Sequence, residues 1–128
     1  MSLYLQVAIG GDLFLVDAGH IVEVSPQDAP GDGDPNGLPA IDLRRLFAAA
    51  AEADGSRIRV ADAAGTTTTL VVDRVDGLAE IDPASFRALP PIGPLGTLID
   101  AVAMRPGIER PLLRLRGERA LAVAAALA

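Results

Sequence analysis

The sequence has 128 residues, half of them hydrophobic, which is enough for one domain with a substantial core. It contains no cysteine, which excludes disulfides, thiolate nucleophiles and zinc sites with cysteine ligands. Its formal net charge of −6 disfavours nucleic acid as a partner, because an acidic surface repels phosphate groups.

The beginning of the chain predicts three strands. Apolar residues alternate with their neighbours from Leu3 to Ile9, which is the period of a strand. Gly10-Gly11-Asp12 is a turn signal, and a second strand follows from Leu13 to Val16. The β-rich segment from His20 to Val24 predicts a third strand, which Ser25-Pro26 closes.

A turn-rich segment follows, and it precedes a predicted helix. Gln27 to Leu38 has no apolar periodicity, so we expect an exposed loop there. Pro39 to Leu43 leads into the alanine-rich stretch Arg44 to Ala53, whose composition is typical of a short helix. Asp42 is placed to cap the first turn of this helix, and Asp54-Gly55 ends it.

The second half of the chain predicts a hairpin followed by shorter elements. The arms of the hairpin are Arg57 to Asp62 and Thr66 to Val75, and its run of four threonines suits an edge strand. Asp82-Pro83 predicts one turn of helix, which Leu89-Pro90-Pro91 ends. Two more strands and a closing helix are predicted at Leu98–Met104, Pro111–Leu115 and Glu118–Leu127.

These elements indicate one all-β domain over residues 1–128, with one or two short helices. About seven or eight short strands, with a turn signal roughly every ten residues, are typical of a sandwich or barrel. The opening residues have no signal-peptide pattern, and the apolar end from Ala120 to Ala128 is too short to span a bilayer. We therefore expect a cytoplasmic protein without membrane insertion.

The residues that could carry catalysis are few. His20 is the only histidine, and none of the serines lies in a strand-to-helix elbow motif. Asp73 and Asp76 lie near a predicted strand end, where hydrogen bonding in a turn explains them better than acid/base chemistry does. The sequence therefore predicts no catalytic residue and no enzymatic activity.

One metal pattern offers an alternative function. Asp32 to Gly37 matches the first half of a calcium loop, with oxygen ligands at positions one, three and five and glycine at position six. Position twelve is Leu43, where a bidentate glutamate is needed, and no helix pattern precedes the loop. A calcium- or small-ligand-binding β-barrel that uses the Asp-rich loop 28–36 is the alternative hypothesis.

The order of the segments resembles the CheW-like family, the adaptor domain of bacterial chemotaxis signalling. Tyr4 to Pro26 resembles the opening of the family, which ends in a Val-x-Glu-Val pattern. Pro39 to Phe47, PAIDLRRLF, is similar to the Pro-x-x-Asp-Leu-Arg motif and is the most specific segment. Thr69 to Pro91 resembles the Val-Asp-x-Val-x-Gly strand with its following Asp-Pro turn, and Leu98–Met104 and Pro111–Leu121 resemble the last strands and the closing helix.

This resemblance implies two intertwined five-stranded barrels around a shared core, no catalysis and no cofactor. It implies binding to the regulatory domain of a CheA-type histidine kinase and to the cytoplasmic tip of chemoreceptors. The kinase-facing residues would be Ile21, Val22, Glu23 and Val24, with exposed apolar side chains as anchors and Glu23 setting the register. The structural residues of the family motifs would be Pro39, Asp42, Leu43, Arg44, Asp73, Val75 and Gly77.

One departure from the family pattern affects the receptor partner. Only Asp34 to Leu38 stands where family members carry a longer Gly-Val-x-Asn-Leu-Arg-Gly segment, and its signalling arginine has no counterpart here. The resemblance is therefore to a shortened or divergent member whose first barrel could lack a strand. An incomplete barrel would expose a strand edge that a second copy of the chain could cover, giving a homodimer.

Overall fold

The computed structural model describes residues 1–26, 40–47, 55–90, 93, 95–104, 107 and 109–127. Within these ranges the chain forms ten strands, two short α-helices and three turns of 3-10 helix, at Ala18–His20, Pro83–Ser85 and Gly117–Arg119. The predicted all-β class with minor helix is therefore confirmed. The elements are β1 (Ser2–Ile9), β2 (Asp12–Asp17), β3 (Ile21–Pro26), β4 (Ile41–Asp42), α1 (Leu43–Leu46), β5 (Ser56–Ala61), β6 (Thr67–Val72), β7 (Arg74–Ile81), β8 (Phe86–Ala88), β9 (Ile99–Ala103), β10 (Leu112–Leu115) and α2 (Ala120–Leu127).

The strands lie in two sheets that exchange chain segments. One sheet has the order β7-β1-β2-β10-β9-β8, and the other, among the described residues, has the order β3-β5-β6-β4. Because the chain leaves the larger sheet after β2 and returns at β7, the two sheets are intertwined, as the resemblance implied. The larger sheet has six strands and the smaller one, among the described residues, has four, which agrees with the expectation that the first barrel could lack a strand. One strand of the larger sheet, β8, was not predicted because its three residues are too few to show a period.

The larger sheet buries apolar side chains on both faces. Leu5 and Val7 of β1 point into the main core, where they meet Ile58 and Leu70 of the smaller sheet. Tyr4 points the other way into a second cluster, whose buried members also include Leu15, Ala79, Ile81, Ala103 and Leu112. The predicted alternation of β1 is therefore present, but it separates two cores and not a core from solvent.

Asp73 marks the crossing from the smaller sheet to the larger one. The predicted strand Thr66 to Val75 is wrong in this respect, since β6 ends at Val72 and β7 begins at Arg74. The backbone N–H of Asp73 donates to the carbonyl oxygen of Ala8 over 3.0 Å, which ties the crossing point to β1. A local pattern of β-branched residues cannot show that a strand changes sheets, because both halves have the same period.

Among the described residues β6 as a whole is not the edge strand that its threonines predicted, although β4 pairs only with its Leu70 and Val71 and not with its threonines. β6 lies between β5 and β4, and Thr68 and Thr69 are buried. The strand β4 that covers the other side consists of Ile41 and Asp42, which pair in parallel with Leu70 and Val71. A strand of only two residues is too short to show the alternation by which a strand is recognised in a sequence.

Gly77 occupies a position in β7 whose backbone geometry favours glycine. Gln6 pairs with Gly77, but the next residue of β1, Val7, pairs with Val75, so Asp76 is an extra residue in β7. This β-bulge coincides with a φ of +123° at Gly77, a backbone conformation that residues with a side chain rarely adopt. Val75 beside it packs against the main core.

The helix predictions are close to what the structure shows. α1 begins at Leu43, one residue before the predicted start, and ends at Leu46, with Phe47 as its C-cap. Residues 48–53 of the predicted helix lie outside the described residues. The predicted helical turn after Asp82 is the 3-10 turn Pro83–Ser85, and the closing helix is a 3-10 turn followed by α2. Pro91 and Arg105-Pro106 lie outside the described residues.

Candidate protein-binding surfaces

The strand β3 presents two exposed valines at the edge of the smaller sheet. Val22 is 54% exposed and Val24 is 43% exposed, and within the described residues β3 pairs only with β5. The register passes from Ile21 opposite Val60 to Glu23 opposite Arg59, so Val22 is an extra residue in a bulge. Bulges blunt an edge against unwanted strand pairing. A partner would therefore contact the side chains of β3 and not the backbone of its edge.

Ile21 differs from its three neighbours on this strand. It is partly buried and packs against the main core, so the prediction that it presents an exposed apolar side chain is wrong. Ile21 and Val22 point to opposite faces because side chains alternate along a strand, and the bulge at Val22 interrupts this alternation for the residues that follow. The exposed set of the predicted kinase-facing residues is therefore Val22, Glu23 and Val24.

A single ion pair accompanies the two valines. Glu23 lies 3.2 Å from the Arg59 guanidinium of β5, and about half of its side chain is exposed. An exposed pair of this kind contributes little to folding. Its charges are accessible to a partner, so it can fix orientation while the valines supply apolar contact.

A groove lies between the larger sheet and the end of α1, and the sequence did not predict it. It encloses about 410 Å³ and is lined mainly by apolar side chains. Phe14 of β2 and Phe47 at the end of α1 stack there, with ring centroids 5.3 Å apart and an interplanar angle of 17°. The other lining residues are Ile9, Gly10, Asp12, Ile99 and Leu113. No single segment marked it, because its lining residues come from parts of the chain that are far apart in sequence.

A buried charge cluster lies beside this groove. The Asp42 side chain accepts from the backbone N–H of Arg44 at 3.0 Å, which caps α1 as predicted. It also accepts from Nε and Nη2 of Arg44 at 2.9 and 3.0 Å. Burial raises the pKa of Asp42, but the bonds from Arg44 outweigh burial and hold that pKa below its ordinary value. The same bonds raise the pKa of Arg44, so the cluster stays charged.

Asp73 completes the cluster from the crossing point between the sheets. Arg44 is only 3% exposed and Asp73 only 6%. The Asp73 Oδ1 atom lies 3.6 Å from Nη1 of Arg44 and has no hydrogen-bond partner, while Oδ2 accepts from the backbone N–H of Gly10 at 2.7 Å. Asp73 therefore contacts both α1 and the β1–β2 turn. The motif residue Leu43 is fully buried beside them in the main core.

A second charge cluster stabilises the last strands of the larger sheet. Asp100 of β9 accepts from Nε of Arg114 at 2.7 Å and from Nε of Arg116 at 2.6 Å. Arg114 also lies over the Phe86 ring, 4.8 Å from its centroid. Burial raises the pKa of Asp100, but the two arginines outweigh it and hold that pKa below its ordinary value of 3.8.

This cluster predicts a pH dependence of folding stability. Because the pKa of Asp100 is lowered by folding, its stabilisation is present above about pH 4 and is lost as the pH falls through the folded-state value. We expect Asp100→Asn to lower the free energy of unfolding by about 1–2 kcal/mol at pH 7, and by much less at pH 2.5. Urea denaturation at both pH values measures the difference, with Glu109→Gln, which removes an exposed acid, as the control. An equal loss at both values would contradict the assignment.

The remaining predictions concern His20, Pro39, the Asp-rich loop, metal binding and membrane insertion. His20 lies in the 3-10 turn before β3 and not in the strand. Its Nδ1 lies 3.1 Å from the carbonyl oxygen of Ala61, which can accept a hydrogen bond from it. Pro39 and the Asp-rich loop 28–36 lie outside the described residues. Across the ranges that are described, no three histidine, aspartate or glutamate side chains gather as a metal site would require. No helix there is both long and apolar enough to cross a membrane.

Exposed apolar side chains also occur on the larger sheet. Leu78 of β7 is 65% exposed, and Met1 and Met104 line a shallow cavity beside the second core. Leu78 is thus, like Val22, an exposed aliphatic residue on an edge strand, but it belongs to the other sheet. It provides a matched position for testing which surface a partner uses.

Two intertwined sheets with a shared core define an all-β domain, and β3 and the groove are its candidate binding surfaces. No family model and no curated protein matches the sequence. Among solved structures, the chain is similar to the scaffolding protein TtCheW from Thermoanaerobacter tengcongensis, with 19% identity, a TM-score of 0.73, and coverage of 92% of this chain and 90% of that chain. The chain therefore has a CheW-like fold. Because one fold serves many functions, an identity this low supports the fold and leaves function to the surfaces.

Proposed function

We propose that this chain is a non-enzymatic, cytoplasmic adaptor of chemotaxis-type signalling, which couples chemoreceptors to a CheA-type histidine kinase. The observation that carries the proposal is the CheW-like fold together with the exposed valines of β3. An adaptor needs two separate protein-binding surfaces. The β3 surface and the groove lie on different parts of the molecule, since they share no lining residue.

The β3 surface is assigned to the regulatory domain of the kinase. Val22 and Val24 supply apolar anchors whose burial is favourable, and the pair of Glu23 with Arg59 supplies accessible charge beside them. The area is small, which suits a weak and reversible contact. Because β3 is an edge strand, the predicted homodimer would use the same surface and would compete with the kinase.

The groove is assigned to the receptor tip. An apolar groove lined by Phe14, Phe47, Ile99 and Leu113 suits the apolar face of a helix, which is a common mode of peptide recognition. Asp12 is the one acidic residue of its lining, so it can select a partner that carries a basic residue beside its apolar face.

Calorimetric titration with the CheA-type regulatory domain of the same organism tests the kinase assignment. We expect micromolar binding by the wild-type chain, and a loss of about tenfold or more in affinity for Val22→Asp, because a carboxylate cannot be buried at an apolar contact without a partner. Val22 is exposed, so the variant should stay folded, whereas Ile21→Asp would also damage the core.

Leu78→Asp is the matched control, since it introduces the same charge at an exposed aliphatic position of the other sheet. The assignment of β3 is wrong if Leu78→Asp weakens the titration as much as Val22→Asp does. A folded wild-type chain that binds no kinase domain would refute the adaptor function itself. Light scattering on the same samples shows whether Val22→Asp also changes the oligomeric state.

A further inference from the structure

One buried side chain, Asp73, contacts both walls of the groove. Gly10 lines the groove on the side of the β1–β2 turn, and Phe47 lines it on the side of α1. Asp73 contacts the first wall through the N–H of Gly10, at 2.7 Å, and the second through Arg44 of α1, at 3.6 Å. Phe47 is fixed to the same helix turn, since its N–H donates to the carbonyl oxygen of Leu43 at 3.0 Å.

The two contacts of Asp73 differ in strength. The contact with Gly10 is a short hydrogen bond to a carboxylate, whereas the separation of 3.6 Å from Arg44 is too long for one. Because both side chains are almost fully buried, their charges attract with little screening by water. The spacing of the walls therefore depends on an electrostatic contact that can lengthen or shorten without breaking a hydrogen bond.

We propose that Asp73 and Arg44 are positioning residues that set the width of the groove and thereby its affinity for the receptor tip. The inference rests on the proposed function in that it takes the receptor tip as the ligand of the groove. Neither residue lines the groove, so both act through Gly10 and Phe47. A residue of this kind changes binding at the groove without changing binding at β3.

The variant Asp73→Asn separates the two contacts. Its amide oxygen can still accept from the Gly10 N–H, but its amide NH₂ then faces Nη1 of Arg44, which is also a donor. If the side-chain amide is rotated by 180°, its NH₂ group faces the N–H of Gly10, and both groups are donors. In both orientations one wall loses its attachment, while the size of the side chain is unchanged.

Calorimetric titration of two partners tests the inference. We expect Asp73→Asn to lower the affinity for a soluble cytoplasmic chemoreceptor fragment by roughly tenfold, while the affinity for the kinase domain stays unchanged. The control is Asp76→Asn, which removes a nearby carboxylate that pairs with Arg74 at the surface of β7. This control should bind both partners as the wild type does.

Two outcomes of the titration would overturn the inference. The first is an unchanged affinity of Asp73→Asn for the receptor fragment. The second is an equal loss of affinity for both partners, which would mean that Asp73 acts on the fold as a whole and not on the groove.

A wild-type chain that fails to bind the fragment would refute the receptor assignment. The positioning role would then be tested by NMR spectroscopy of the free protein. In NMR spectra, Asp73→Asn should shift the Gly10 amide signal and the ring signals of Phe14 and Phe47, because the stacked rings report the distance between the walls. Asp76→Asn should shift none of the ring signals. Unchanged ring signals in Asp73→Asn would overturn the inference.

Discussion

Arg44→Met is expected to lower the free energy of unfolding by about 3–5 kcal/mol, which is the usual effect of removing one partner of a buried ion pair. The loss should come mainly from Asp73, which keeps its hydrogen bond from the N–H of Gly10 but loses the Arg44 guanidinium 3.6 Å away. Asp42 should contribute less, because its side chain is about one quarter exposed and water can replace part of the lost contact. Urea denaturation at pH 7 measures the change.

The control for this prediction lies one residue further along the same helix. Arg45→Met makes the same substitution at an exposed position of α1, so it should change the free energy of unfolding by less than about 0.5 kcal/mol. Equal losses for the two variants would mean that methionine in this helix, and not the buried cluster, is responsible. A loss below about 1 kcal/mol for Arg44→Met would show that Asp73 is hydrated in solution.

The cluster shows where sequence-based reasoning succeeds and where it stops. The cap by Asp42 could be predicted, because it depends on residues two positions apart and on a general preference. The burial of Arg44 could not be derived from composition or periodicity, since arginine is mostly exposed in folded proteins. Its partner Asp73 lies at the crossing between the two sheets, 29 residues further along the chain, and only the tertiary fold brings the two together.

The same holds for the strands: features that depend on neighbouring residues could be predicted, and features that depend on distant residues could not. The alternation of β1 and the turn at Gly10-Gly11 are local, and the sequence predicted both. The number of strands in each sheet depends on partners far along the chain. Thus β10 pairs in parallel with β2, and the two residues of β4 form a strand only because β6 lies beside them.

The two binding surfaces differ in the same way. The β3 surface is one continuous segment, so a resemblance in sequence could indicate it, although neither the bulge at Val22 nor the burial of Ile21 could be seen. The groove is assembled from the β1–β2 turn, α1, β9 and β10, and no pattern in any one of them marks it. Surfaces that combine several elements are the part of function least accessible to a reading of the chain alone.

Leu70→Ala is expected to lower the free energy of unfolding by about 2–5 kcal/mol, because it leaves a cavity in the main core. Leu70 is fully buried in β6, which pairs with β5 on one side and with β4 on the other. It also lies beneath the 3-10 turn that begins at Gly117 and leads into α2. Urea denaturation measures the loss, and Leu78→Ala, at an exposed position, should change the free energy far less.

A double-mutant cycle locates the cavity within the core. A Cβ atom on Gly117 would lie 2.9 Å from Cδ1 of Leu70 and 3.5 Å from Cγ1 of Val60, so Gly117→Ala should be destabilising by itself. Once Leu70 is alanine, the closest of these contacts is gone and the added methyl group enters the space that Leu70 leaves. The double variant should therefore be more stable than the sum of the two single losses predicts, by about 0.5–3 kcal/mol. Strictly additive losses would mean that the 3-10 turn does not rest on Leu70 and that the cavity closes by movement of other side chains.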